Sequence, residues 1–250
     1  MFTQEEIAAL SAQFETKTAQ EIIQWAVDEF APQIAMSASF QTQSMPLVRM
    51  VTRVMPGIKI FFLDTGYHFW DTLIFREHIQ REWNLNVVDL YRDVRWDIFA
   101  RQNTRTLPIQ DPNLCCYIHK VQPMQKALSG LKAWISGIRR DQTPERAHAQ
   151  ILELQDDGLL KVNPLLNWTK RDIQTYMADH HLPAHPLYER GYRSIGCAPC
   201  TIAVGLNDDD RAGRWAGRGK TECGLHTDMF KHKDLAEVKD QFMMKPEDVA

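Results

Sequence analysis

No run of apolar residues in the chain approaches the roughly 20 that a membrane-spanning helix needs. The first fifteen residues are acidic and amphipathic and lack a signal-peptide pattern. Positive charge is not in excess either. Against 32 Asp+Glu stand 29 Lys+Arg, a formal net charge of −3 with a pI near 6.3, which excludes a cationic coat for nucleic acid but leaves room for a local basic site. Glycine and proline number 12 each among 250 residues, too few for a collagen-like or low-complexity chain. Internal repeats are absent. The expectation is a cytoplasmic protein without nucleic-acid or membrane partners, large enough to bury a real core.

Cysteine is scarce but organised. Its five copies are Cys115, Cys116, Cys197, Cys200 and Cys223. An odd number in a cytosolic chain argues against a disulfide framework and toward metal binding or catalysis. The Cys197-x-x-Cys200 pair brings two thiolates within reach of one metal centre, with Pro199 stiffening the turn, a signal shared by zinc knuckles and redox dithiols. Consecutive ligands strain a small tetrahedral zinc site and suit a larger iron–sulfur cubane better, so Cys115 and Cys116 favour the cluster. Two buried thiols beside a zinc pair remain the alternative. Four ligands leave one cysteine over.

Thr3 with Glu6, and Thr18 with Glu21, stand at capping-box spacing and predict two helices before residue 31. The short apolar run 34–36 then gives way to the polar segment 37–44, and Pro46 lies in the first turn of a helix predicted over 45–54. Strands are predicted over 58–63, 86–91 and 133–138, a helix over 69–83, and a last helix capped near Thr169 and running to about Asp179. This alternation predicts an α/β fold with a doubly wound, mainly parallel sheet. Polar motifs follow its strands at the carboxyl ends, where such folds bind ligands.

From residue 181 onward the sequence is rich in Pro, Gly, Cys, Arg and Trp with little periodicity, a texture expected of functional or metal-anchored chain. Within it, Arg211, Arg214, Arg218 and Lys220 put four cations into ten residues without an acid. That run is either a flexible anion-binding loop or a solvated charge run. Cys223 follows it, flanked by Gly and polar residues, in a setting that favours an exposed nucleophilic thiolate. The hydroxyls of 37–44 precede a helix N-terminus, where phosphate-like anions bind, although the glycine-rich lysine loop of P-loop NTPases is missing. His180, His181 and His185 read as polar loop surface and not as metal ligands.

These segments together resemble the assimilatory adenylyl-sulfate and phosphoadenylyl-sulfate reductases. The matching motifs are Ser37-Ala38-Ser39-Phe40, Leu63-Asp64-Thr65-Gly66-Tyr67-His68-Phe69, Cys115-Cys116-Tyr117-Ile118-His119-Lys120-Val121, Ser136-Gly137-Ile138-Arg139-Arg140-Asp141-Gln142, Ser194-Ile195-Gly196-Cys197-Ala198-Pro199-Cys200-Thr201, Arg211 to Trp215, and Glu222-Cys223-Gly224-Leu225-His226. They run in family order from about residue 34 to 226. The resemblance implies an ATP-pyrophosphatase-like (adenine nucleotide alpha hydrolase) fold with an irregular C-terminal segment. It implies one reductase domain over 1–233, its catalytic segment at 205–233, followed by a polar tail at 234–250.

All four ligand cysteines of the cluster-bearing branch, which generally uses adenylyl sulfate, are present. The resemblance therefore implies one 4Fe-4S cluster on Cys115, Cys116, Cys197 and Cys200, and Cys223 as the nucleophile. It places Lys120, Arg211 and Arg214 on the phosphosulfate and groups His226 with them. Ser39, Leu63, Thr65 and Gly137 then line the nucleotide site, joined by Arg139 or Arg140. The implied reaction is reduction of adenylyl sulfate to sulfite and AMP, in sulfate assimilation and cysteine biosynthesis, through an S-sulfocysteine on Cys223. The electron donor would be thioredoxin or a glutaredoxin-like dithiol. A phosphoadenylyl-sulfate or dual-specificity reductase is the alternative. An ATP-pyrophosphatase-type tRNA thiolase is disfavoured because the Ser-Gly-Gly-x-Asp-Ser loop is missing. The oligomeric state stays open, a homo-oligomer included. Two positions depart from the family pattern: Gln41 where Gly is usual, expected to crowd a turn, and His119 where many members carry Arg.

Overall fold

The computed structural model describes residues 2–93 and 106–231; the expected polar tail at 234–250 and the 233 boundary lie outside them. The described residues divide into two compact units, one made of residues 2–62, 71–88 and 130–188, the other of 63–70, 89–93, 106–129 and 189–231.

Both predicted capping boxes form. Thr3 opens α1 (Gln4–Phe14) and Thr18 opens α2 (Ala19–Phe30), each hydroxyl accepting from the backbone three residues on while that glutamate accepts from the cap's own N–H. The reciprocal bonds satisfy two amides that a helix start otherwise leaves unpaired. Thr169 repeats the device with Asp172 at the start of the helix Lys170–Asp179. Between them lie β1 (Ile34–Ser37), α3 (Met45–Val54), β2 (Lys59–Leu63), α4 (Trp70–Glu82), β3 (Val87–Leu90) and β4 (Ala133–Ile135). The predicted strand over 133–138 ends at Ile135, so Ser136, Gly137 and Ile138 form the turn leaving it.

Two strands escaped the sequence reading, β5 (Leu152–Leu154) and β6 (Leu160–Val162), which pair antiparallel. Asp157-Gly158, with Gly158 at φ +82°, was the available hairpin signal between them. The sheet runs β3-β2-β1-β4-β6-β5, with β1 parallel to β2 and β4, and β4 parallel to β6. It is the mainly parallel α/β sheet expected. Strand order reverses between β1 and β4, and ligands of such sheets bind beside the carboxyl ends of the strands at that reversal. The core of the first unit packs around these strands, with Met36, Ile60, Ile135 and Val162 fully buried among helix residues such as Ile23, Val48 and Val51.

The second unit is poor in regular structure. After α5 (Leu107–Gln110) and α6 (Pro112–Cys116) the helix widens into a π-turn over Tyr117–Val121 before continuing as α7 (Gln122–Leu128). Such a widening, frequent at functional sites, follows directly on the adjacent cysteines and contains Lys120. Leu107, Leu114, Tyr117, Ile118 and Val121 form a small core of their own.

Candidate active site

The first unit carries the switch-point residues. Leaving β1, Ser37 accepts a hydrogen bond from Trp134 Nε1 at 2.9 Å, and the Ser39 and Ser44 hydroxyls stand 3.1 Å apart. Phe40, fully buried against Phe62, takes φ +52°, a strained conformation of the kind concentrated at functional sites. Gln41 does not crowd the turn as expected. Its φ of −74° is ordinary for any L-residue, and the glycine-like conformation falls on Phe40 instead. From the end of β4, Arg139 reaches back to this loop: Nη1 donates to Gln43 Oε1 at 2.8 Å and Nε to Asp141 at 2.9 Å. A Cβ on Gly137 would come within 3.2 Å of Leu47 Cδ2, so this position needs a glycine or a shift of its neighbour. The Ser136 hydroxyl beside it is buried without a hydrogen-bond partner, which leaves polar capacity at the carboxyl end of β4.

The two adjacent arginines differ. Arg140 spends all its donors inside the protein, on Glu15 at 2.7 and 3.0 Å, on the Ala149 carbonyl, and on Asn167. It pins the end of α1 to this loop and keeps no N–H for a phosphate. His185, read from sequence as polar surface, is fully buried. Its Nδ1 accepts from the Leu187 amide at 3.1 Å, which leaves Nε2 to donate to Thr72 at 3.0 Å. Its own amide donates to Thr42, and burial pulls the imidazole down to about 4, so it stays neutral. His180 and His181 are exposed as expected.

The second unit gathers the cysteines. Cys115, Cys116, Cys197 and Cys200 line one cavity with Thr65, Tyr67, His119, Lys120 and Trp215, all four thiols being buried and free. No group of three or more His, Cys, Asp or Glu side chains among the described residues is arranged to hold a single metal ion. Local bonds shape the Cys-x-x-Cys turn: Ala198 N–H donates to the Tyr67 carbonyl at 2.7 Å, and Thr201 Oγ1 to the Cys197 carbonyl at 3.0 Å. Thr65, expected at the nucleotide, directs its hydroxyl to within 3.3 Å of Cys197 Sγ. Leu63, at the end of β2, accepts from His68 through its carbonyl.

Burial pushes the Cys115 and Cys200 thiols up, with neighbouring thiolates adding to the effect, and moves Cys116 to about 11 despite the opposing charge of Lys220 and Lys120. Burial alone would lower Lys120. The thiolates of Cys197, Cys223 and Cys116 override it, so the ammonium is held protonated above its ordinary value. His119 supplies no such charge: burial takes it down to about 4, its Nδ1 sits 3.0 Å from the Cys115 carbonyl, and its ring meets Tyr67 edge-on.

The basic run is not a solvated surface. Arg211 donates to the Thr221 carbonyl at 2.6 Å and pairs with Glu222 at 3.6 Å. Arg214 stacks over the Trp215 ring at 4.3 Å, and its guanidinium fills the space a Cβ on Gly196 would need. Arg218 donates to the carbonyls of Pro108 and Pro199, and Lys220 to Asn113. Arg211 and Arg214 each place an Nη1 at 3.5 Å from the Ser194 hydroxyl. Two like charges converging on one point repel unless an anion joins them. Cys223, half-buried, packs against Cys116, Cys197, Cys200 and Trp215, while His226 is half-buried three residues on. Trp215 and Ser194 went unassigned in the sequence reading, although the motifs contain both.

Residues 33–203 match the family described as the phosphoadenosine phosphosulfate reductase domain. The chain belongs to that family. Among its curated relatives, an adenosine 5′-phosphosulfate reductase of Rhodococcus opacus is 38% identical over 225 residues, covering 86% of this chain and 91% of its own length. Those of Bacillus cereus and Streptomyces coelicolor are 39% and 38% identical, covering 89% and 90% of this chain and 96% of their own. In structure, the family fold appears in a phosphoadenylyl-sulfate reductase of Candida auris solved as a phosphate complex, with a TM-score of 0.69 at 25% identity, spanning 81% of this chain and 98% of that one. An FMN adenylyltransferase of Candida glabrata shares the fold alone, at TM-score 0.56 and 17% identity over 83% of this chain and 70% of its own. No helix among the described residues is long and apolar enough to cross a membrane.

Proposed function

We propose that the protein reduces adenylyl sulfate to sulfite and AMP, with Cys223 as the nucleophile and a dithiol protein, thioredoxin or one like it, as the reductant. The observation that carries this reading is the meeting in one unit of a half-buried Cys223, the protonated Lys120 beside it, and the paired guanidiniums of Arg211 and Arg214. The Cys223 thiolate attacks the sulfur of adenylyl sulfate, the S–O bond to the phosphate breaks, and AMP leaves with the electron pair. Negative charge grows on the departing phosphate, where Lys120, Arg211 and Arg214 stabilise it. A dithiol then attacks Cys223, sulfite departs, and the second thiol of the donor resolves the mixed disulfide. With the four other cysteines assigned to a cluster, the resolving thiol would come from outside the chain.

Four buried thiols in one cavity, two of them consecutive, form a soft donor set suited to an iron–sulfur cluster. Cys115, Cys116, Cys197 and Cys200 would hold a 4Fe-4S group, which supplies fixed structure and local charge. Thr65 and Lys120 are this chain's own contacts to those ligands. Ser39, Leu63, Thr65, Gly137 and Arg139 are the proposed nucleotide contacts. The relatives near 38% identity are named for adenylyl sulfate, whereas the structural neighbour at 25% is named for the 3′-phosphorylated nucleotide, so adenylyl sulfate is the preferred substrate. Sulfite release from anaerobically purified protein with reduced thioredoxin, compared between the two nucleotides, tests this. Equal or reversed preference overturns the substrate assignment and leaves the chemistry in place.

A further inference from the structure

Glu222 is an unusual residue for its surroundings. Its side chain is only 3% exposed, while Thr221 before it faces solvent and Cys223 after it is half-buried. A carboxylate taken out of water is costly unless it is paired. Arg211 is one partner that pairs with it: its Nη2 lies 3.6 Å from Glu222 and donates at 2.6 Å to the Thr221 carbonyl. One arm of Arg211 thus holds the two residues that precede Cys223. The other arm, Nη1, points with Arg214 at Ser194, where the two positive groups converge. On the far side of the thiol, Gly224 turns the chain at φ +90°, a conformation open to glycine and costly for other residues. Cys223 therefore stands between an anchored residue and a turn.

We propose that Glu222 is a positioning residue: with Arg211 it forms a latch that holds the Cys223 strand, so that one guanidinium both receives the substrate anion and sets the place of the attacking sulfur. This deepens the reading of Cys223 as nucleophile and rests on it. Without the carboxylate, Arg211 keeps its anion arm and its bond to the Thr221 carbonyl but loses the counter-charge that fixes the strand. Thiol placement is then lost while nucleotide affinity is retained.

The test is E222Q in the purified holoenzyme, read by the rate of carboxymethylation of Cys223 in its mapped peptide and by steady-state kinetics with adenylyl sulfate. The latch predicts carboxymethylation about tenfold faster than in the unaltered protein, kcat lower by about tenfold, and KM within about twofold, the split expected when an interaction outside ground-state binding is removed. E222D, which keeps the charge, restores much of the protection. In R211Q/E222Q the carboxymethylation rate matches that of R211Q alone, because the carboxylate acts through that guanidinium. An unchanged rate in E222Q, a raised KM at constant kcat, or additive effects in the double variant overturns the latch. Sulfite production persisting in C223S overturns the underlying reading instead, so the two failures are distinguishable.

Discussion

The Thr65 hydroxyl lies 3.3 Å from the Cys197 sulfur, and the same oxygen receives the Tyr67 amide at 3.2 Å. With the amide N–H directed at its lone pair, the hydroxyl proton is available to Cys197. A thiolate ligand accepts such a bond and is stabilised by it, as metal ligands commonly are by their neighbours. T65V keeps the shape and removes the donor. Its expected effect is loss of the proposed cluster to a chelator about fivefold faster, followed by absorbance, for a lost bond of about 1 kcal/mol. Unchanged loss would mean that the hydroxyl serves the nucleotide alone.

Lys120 is expected to act on chemistry more than on cluster assembly. Neighbouring thiolates hold it charged in a half-buried position, where a fixed cation adds to transition-state stabilisation. K120M should lower kcat by about 100-fold while the purified protein stays brown. A colourless K120M would show instead that the ammonium is needed to assemble the cysteine site.

Of the adjacent arginines, Arg140 should prove structural. Its donors are all taken within the first unit, and removing one partner of a partly exposed pair costs about 1 kcal/mol. R140Q is therefore expected to lower the melting temperature by a few degrees and to leave the KM for adenylyl sulfate near its original value. R139Q should raise that KM, because Arg139 ties the loop leaving β4 to Gln43 in the loop leaving β1. Equal KM effects from both substitutions would contradict this division.

His185 makes stability depend on pH with a definite sign. Its folded value, about 4, lies below the ordinary histidine value of 6.5, so the unfolded chain takes up the proton first as pH falls. The contribution is complete above pH 6.5 and is lost between 6.5 and 4, by roughly 3 kcal/mol. Denaturant unfolding across that range should show the loss, and H185Q should flatten it. Equal slopes in both proteins would place the pH dependence elsewhere.

Much of this was legible in the sequence because the signals were local. Thr3, Thr18 and Thr169 announce their helices through a residue three positions on, and the family resemblance implied the grouping of the four cysteines that share a cavity. What failed to show was tertiary. Arg140 was a candidate for the nucleotide site alongside Arg139 because nothing near it in sequence reveals Glu15, 125 residues away. His185 looked like surface because Thr42 and Thr72, which satisfy it, are equally distant. Phe40 was missed as the strained residue because a glycine absent at 41 drew attention one position too far. β5 and β6, three residues each, are too short to show a period.

The most direct measurement omits the reductant. Incubating the anaerobic protein with adenylyl sulfate alone and mapping its peptides by mass spectrometry should show one added SO3 group on Cys223, formed with an equal amount of AMP and released as sulfite when reduced thioredoxin is supplied. Modification of a different residue, or AMP and sulfite formed by C223S, would contradict the account.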